Sequence, residues 1–118
     1  AAVRDYLRLK LVAEPNEILA VVFLNSQHQV LAFEPLFKGT VDQTPVYPRV
    51  LVQRALALNA SALILAHQHP SGKTEPSAAD RAITERLTSA LATIDVRVLD
   101  HFIVGKGSPF SFAEAGLL

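Results

Sequence analysis

The stretch that most limits how this chain can fold runs from residue 62 to residue 80. The apolar segment Ala62-Leu63-Ile64-Leu65-Ala66 passes without a break into His67-Gln68-His69-Pro70-Ser71-Gly72-Lys73-Thr74-Glu75-Pro76, and a helical pattern opens at Ser77. Five apolar residues followed by a Pro/Gly-rich loop read as a short buried strand. Pro70-Ser71-Gly72 and Pro76 restrict the loop, so the polar residues at its two ends are held by a partly rigid bracket. Strand side chains alternate, which turns His67 and His69 to one side and Gln68 to the other. On the following helix, Asp80 falls in the middle of the stripe formed by Ile83, Leu87, Leu91 and Ile94, so it faces the core. A carboxylate there is costly unless it is paired or holds a metal.

Two imidazoles and a carboxylate arriving from a strand end and a helix start suit a three-ligand zinc site with its fourth position open, the arrangement of a catalytic rather than a structural zinc. Plainer readings stand beside this one. A His-x-His pair also describes surface histidines or hydrogen-bonded core histidines. Ser77-x-x-Asp80 also resembles a helix capping box. Ser77 can cap the helix and still present its hydroxyl to a site.

Around this stretch the pattern predicts α-β-β-α-β-α-β with a possible last strand. Residues 1–14 read as a helix with Val3, Tyr6, Leu7 and Leu11 on one stripe, ended by Pro15-Asn16. Glu17 opens the continuous apolar run Ile18 to Leu24, a central strand. Asn25 to Gln29 is a polar turn, with His28 an ordinary turn residue, and Val30 to Phe37 is the return strand of a hairpin broken by Gly39-Thr40. Val41 to Tyr47 is a loop or short extended segment. Pro48 starts a helix that runs to Asn59. The helix from Ser77 continues to about Thr93, residues 96–104 form a further strand, 105–109 a turn, and Phe110 to Phe112 a last short strand. The order is that of a mixed sheet with helices packed on it.

The chain has 118 residues, enough for one domain with a real core. Half of them are apolar, and eleven basic residues balance eleven acidic ones, so no basic face announces nucleic-acid binding. No apolar run is long enough to span a membrane, and no signal-peptide pattern opens the chain. The absence of cysteine removes disulfides, thiolate-bound zinc and thiol catalysis together and agrees with a cytoplasmic location. There is no methionine, even at the first position, which reads as a domain excised from a longer chain. Nucleobase deamination needs a Pro-Cys-x-x-Cys pair and is excluded. A His-x-His amidohydrolase would need a barrel of about 250 residues.

His67-x-His69, seven residues, then Ser77-x-x-Asp80 resembles the JAMM motif of the JAB1/MPN metallopeptidases. The wording His67-Gln68-His69-Pro70-Ser71-Gly72, with Pro76-Ser77 and Asp100-His101, is similar to the RadC-like branch of that family, and the likeness extends from about Pro15 to Leu118. Gln68 stands where RadC-like proteins usually have Asn; lying between the ligands, it should cost a metal site nothing. The resemblance implies one α/β domain over residues 1–118, a mixed sheet flanked by helices in the JAB1/MPN, cytidine-deaminase-like three-layer architecture. It also implies that a helix-hairpin-helix-like segment found ahead of this domain in RadC-like proteins is missing here.

For the chemistry, the resemblance implies zinc on His67, His69 and Asp80, with a water in the fourth position made nucleophilic near neutral pH. Glu17, just before the first buried strand, matches the family's base and is expected within about 2.6–3.2 Å of that water without being a ligand. Its plainer reading is a strand-end surface carboxylate. Glu34, an acid inside the return strand, is the alternative base, while Glu75 beside Pro76 is expected to face solvent. Ser77 corresponds to the hydroxyl that polarises the scissile carbonyl. His101, with Asp100, is implied as a partner behind a ligand, or else is a hydrogen-bonded core histidine. Ser71 and Lys73 either line the substrate entrance or face solvent. The function implied is a zinc-dependent hydrolase cutting peptide or isopeptide bonds in a peptide or protein substrate. The competing reading is a non-catalytic module, DNA-repair-associated or protein-binding, that retains the metal site.

Overall fold

A computed structural model describes residues 2–11, 16–39 and 46–118. Its sheet has the order β2-β1-β3-β4-β5, formed by β1 (Ile18–Leu24), β2 (Val30–Lys38), β3 (Ala62–Gln68), β4 (Arg97–Val104) and β5 (Phe110–Ser111). The apolar runs that the sequence marks as buried strands, β1 and β3, are neighbours at the middle of the sheet, antiparallel to each other. Every residue of both is buried. β4 runs parallel to β3, and the hairpin partner β2 and short β5 close the edges.

Both faces of the sheet are covered, which is why β1 and β3 are apolar throughout rather than alternating. On one face α1 (Ala2–Leu11) sets Leu7 and Leu11 against Ile18, Ala20, Val22, Ile64, Ala66, Phe102 and Val104. On the other, α2 (Pro48–Ala57) and α3 (Ala78–Ala92) bring Leu51, Ala55, Ile83, Leu87 and Leu91 against Leu19, Val21, Phe23, Leu63 and Leu65. The result is three layers, helix, mixed sheet, helices, the α/β architecture expected of a JAB/MPN-like fold. Arg4 anchors α1 to the C-terminal region through paired 2.8 Å bonds to Glu114 and a bond to the Pro109 carbonyl.

Local chemistry explains the joints. In the β1–β2 turn the Asn25 side-chain oxygen accepts from the N–H groups of Gln27 and Gln29, and His28 takes the left-handed conformation at φ 61°. Pro48 occupies the first turn of α2, where its missing N–H costs nothing. Several expected bounds differ from those found. The first helix is described to Leu11; the expected continuation to residue 14 and the break at 15 lie outside the described residues, as do Thr40 and most of the expected segment 41–47. α2 ends at Ala57 and α3 at Ala92, short of Asn59 and Thr93. β3 extends beyond Ala66 to Gln68, because β1 and β4 pair with it on both sides up to that residue. No helix among the described residues is long and apolar enough to cross a membrane.

Candidate metal centre

The register of the three central strands builds the site. His67 pairs with Leu19 of β1 across the antiparallel ladder. Continuing that ladder one step sets Glu17 opposite His69, so Glu17, His67 and His69 project from the same face at the same end of the sheet. That is the face on which α3 packs, and the first turn of α3 delivers Asp80. One donor atom each from His67, His69 and Asp80 lies within 4.8 Å of the others. Gln68 points to the opposite face, buried, its Oε1 without a hydrogen-bond partner among the described residues.

Asp80 is fully buried. It completes a capping box: its N–H donates to Ser77 Oγ at 3.0 Å, and its Oδ2 accepts from the Ser77 N–H at 2.8 Å. The capping and metal readings of this residue are therefore compatible, and magnitudes decide which carries the burial. A cap contributes about 1 kcal/mol, whereas burying a carboxylate costs several kcal/mol per ion. The difference falls to the imidazoles. His67 Nδ1 is 2.7 Å from Asp80 Oδ1, and His69 Nε2 is 3.5 Å from Oδ2. Burial, the largest single influence, pushes the Asp80 carboxyl up, but the bonds from His67, His69 and the Ser77 N–H together hold it well below the usual carboxylate range. The Asp80 bond in turn raises His69 above the ordinary imidazole value against the opposing effect of its own burial.

His67 has a carboxylate on each nitrogen, Asp80 on Nδ1 and Glu17 Oε2 on Nε2 at 3.1 Å. A neutral imidazole carries a single N–H and cannot donate to both. Either a second proton or a cation must balance the pair, so the donor set itself favours a positive guest. A tetrahedral ion with bonds of about 2.0–2.1 Å holds its donors about 3.4 Å apart. The 3.5 Å between His69 and Asp80 matches that edge, and the 2.7 Å contact between His67 and Asp80 is the hydrogen bond such an ion would replace. The three residues fit a divalent metal with nitrogen and oxygen preference, zinc among them.

The other residues marked in the sequence divide clearly. Ser77 is exposed at the N-cap, next to the group. Ser71 is exposed in the loop, its Oγ accepting from the Lys73 N–H at a long 3.4 Å, and it makes no bond to the group. Glu34 does not join the group: it lies two strands from His67, bonded to Arg54 of α2 at 2.8 and 2.5 Å, and that guanidinium lowers its pKa. His101 is fully buried and reaches the centre indirectly. Thr84 Oγ1 donates to the Asp80 carbonyl at 2.6 Å and lies 2.6 Å from His101 Nδ1. With the hydroxyl proton so used, His101 Nδ1–H is the donor to Thr84. His101 thus braces the main chain of Asp80 rather than the side chain of a ligand. Asp100 serves the C-terminal turn, accepting from the N–H groups of His101 and Ala113 and from Ser111 Oγ. Thr84 is the residue that sequence reasoning missed. Its signal was available: it follows Asp80 by four positions, a polar residue on the buried stripe of α3.

Known proteins resemble this chain in sequence. A family model described as the RadC-like JAB domain matches residues 1–117. The chain belongs to the RadC-like JAB domain family. This RadC-like domain is thereby a member of the JAB/MPN superfamily, and its His67, His69 and Asp80 are the residues that match the JAMM motif. It is 63% identical over 117 residues to a UPF0758 protein of Methylibium petroleiphilum, covering 99% of this chain and 53% of the relative. It is 64% identical to a UPF0758 protein of Leptothrix cholodnii, with the same coverage, and 63% identical to one of Stutzerimonas stutzeri, covering 98% and 51%. The RadC-like chain spans about half the length of these curated relatives.

Proposed function

We propose that this domain is a zinc-dependent hydrolase of the JAMM type that cleaves peptide or isopeptide bonds of a peptide or protein substrate, in a cytoplasmic setting. The observation that carries the reading is the triple of His67, His69 and Asp80 within 4.8 Å, with a further carboxylate, Glu17, at its open side. When bound, zinc would supply a Lewis acid and acidify a water. The remaining work belongs to this chain's own groups. Glu17, whose side chain is 26% exposed, has one face on His67 and one toward solvent. It takes a proton from the attacking water as the water oxygen bonds to the carbonyl carbon. It then delivers that proton to the amine nitrogen as the C–N bond breaks. Ser77 Oγ accepts from the Asp80 N–H with a lone pair, which leaves its own O–H free to donate to the oxygen of the scissile carbonyl.

A second reading is a non-catalytic module, protein-binding or DNA-repair-associated, in which His67, His69 and Asp80 hold the metal without turnover. The zero net charge of the chain gives nucleic-acid contact no support. The test is metal content per chain before and after chelation, followed by peptide and isopeptide cleavage with zinc-loaded wild type and Glu17→Gln. The expected result is one zinc in both proteins and a loss of turnover of at least about 100-fold in Glu17→Gln. A zinc-loaded wild type that cleaves neither class of bond would favour the binding module.

A further inference from the structure

The loop that carries His69 is bonded to the end of β4. The His69 N–H donates to the Val104 carbonyl at 2.8 Å, and the Lys106 N–H to the Gly72 carbonyl at 3.0 Å. These bonds continue the β3–β4 association beyond its last pair, Gln68 with Val104. Gly105 lies between the two bonding residues of β4's end. A Cβ at Gly105 would stand 2.6 Å from the Gly72 carbonyl oxygen and 3.0 Å from that of Lys73. Both obstacles are backbone, so a side chain there could be admitted only by moving the loop. The φ of Gly105 is outside the left-handed region. Space, not conformation, is what requires glycine.

The Lys73 carbonyl is also the acceptor for His69 Nδ1, at 3.0 Å. A carbonyl only accepts, so this bond favours the neutral ring's proton on Nδ1; Asp80 Oδ2, which also only accepts, competes for it on Nε2 from the longer distance of 3.5 Å. We propose that Gly105 is a positioning residue for His69: the absence of a side chain lets the loop close on β4, sets the Lys73 carbonyl against Nδ1, and so turns the Nε2 lone pair toward Asp80. The effect on metal affinity rests on the reading of the site given above, whereas the effect on the tautomer does not.

Long-range proton–nitrogen spectra of the histidine rings in the zinc-free chain, taken where imidazole is neutral, test it directly. The wild type should show His69 protonated on Nδ1. Gly105→Ala should mix the two tautomers and weaken zinc binding about 10–100-fold, the usual cost of losing a partner behind a ligand. Gly107→Ala, in the same turn but with nothing within 4 Å of the added Cβ, should leave both unchanged even though its φ of +78° strains the turn. Should Gly105→Ala fail to fold, Lys106→Pro deletes the N–H bonded to Gly72 without adding bulk at 105 and should mix the tautomers likewise. A wild-type ring protonated on Nε2 overturns the proposal, as does a folded Gly105→Ala or Lys106→Pro with the tautomer intact, or an equal loss in Gly107→Ala. If the tautomer shifts as expected in a protein that binds no zinc, the positioning role stands and the metal reading fails.

Discussion

His67 and His101 stand on adjacent parallel strands with ring centroids 6.5 Å apart, and the protein treats them in opposite ways. His67 has a carboxylate at each nitrogen and the partly open His69 and Glu17 beside it. His101 lies flat against Phe112, centroids 4.5 Å and planes 17° apart, with one nitrogen on Thr84 and Nε2 without a partner among the described residues. Burial pushes His101 down to about 3, so it is a neutral ring at any ordinary pH. One histidine is surrounded for a cation and the other is kept from becoming one. The difference arises from the neighbours that each strand position meets, since the residue type and the end of the sheet are shared.

The largest expected effect separates them by metal. His67→Ala and Asp80→Ala should abolish stoichiometric zinc while the far-ultraviolet circular dichroism stays close to wild type, because the two apolar layers of the core do not include the ligands. His101→Phe should retain one zinc per chain, since it removes a brace on the Asp80 main chain and no donor. Full zinc occupancy in both His67→Ala and Asp80→Ala would make the ligand assignment wrong. Loss of zinc in His101→Phe as complete as in His67→Ala would erase the distinction between the two rings.

Much of this division could be read from the chain before any coordinates. The alternation of His67, Gln68 and His69 and the helical stripe through Asp80 have fixed periods, so their directions follow from spacing alone. The buried character of β1 and β3 follows from their unbroken apolar runs. What spacing could not give is which distant segments meet. Glu34 is an acid inside a strand, and nothing local says that Arg54, twenty residues on, will cover it. His101 could be read as a ligand's partner or as a core histidine. The structure makes it a buried histidine that reaches only the main chain of Asp80, through Thr84, and that link needs β4 and α3 packed together.

The next effect is smaller and concerns acid. In zinc-free protein the two kinds of histidine should bend the stability curve in opposite directions. The folded pKa of His101 is below its unfolded value, so the unfolded chain binds the extra proton first, and stability falls as pH drops from about 6.5 toward 3. His69 has a folded pKa raised by Asp80, so its contribution is fully present below about pH 6.5 and is lost as pH rises through the folded value. Asp80 acts lower still: its carboxyl is depressed, and its contribution is lost only as pH falls below the ordinary carboxylate range. Urea unfolding across pH 4 to 6.5, inside the His101 window of about 3 to 6.5, should therefore show a declining acid limb that flattens in His101→Phe. An unchanged limb in that variant would assign the acid sensitivity to other groups.

The smallest effect uses a charge pair that belongs to neither histidine. Glu34 and Glu17 are the two acids that the sequence offers as a base, and they differ by what faces them: Arg54 for one, His67 for the other. The Arg54 hydrogen bond is the main reason the Glu34 pKa is low, acting against a modest opposing effect of burial. Arg54→Gln should let that pKa rise toward the ordinary glutamate value, visible as a shifted carbon resonance in a nuclear magnetic resonance titration. Because the pair is partly exposed, its removal should change stability little, as surface ion pairs generally do. Zinc content and any cleavage activity should stay at wild-type levels, since β1 separates Glu34 from the strand that carries His67. Loss of cleavage in Glu34→Gln with wild-type cleavage in Glu17→Gln would move the base to the outer strand, and Glu17 would then lose its assigned role.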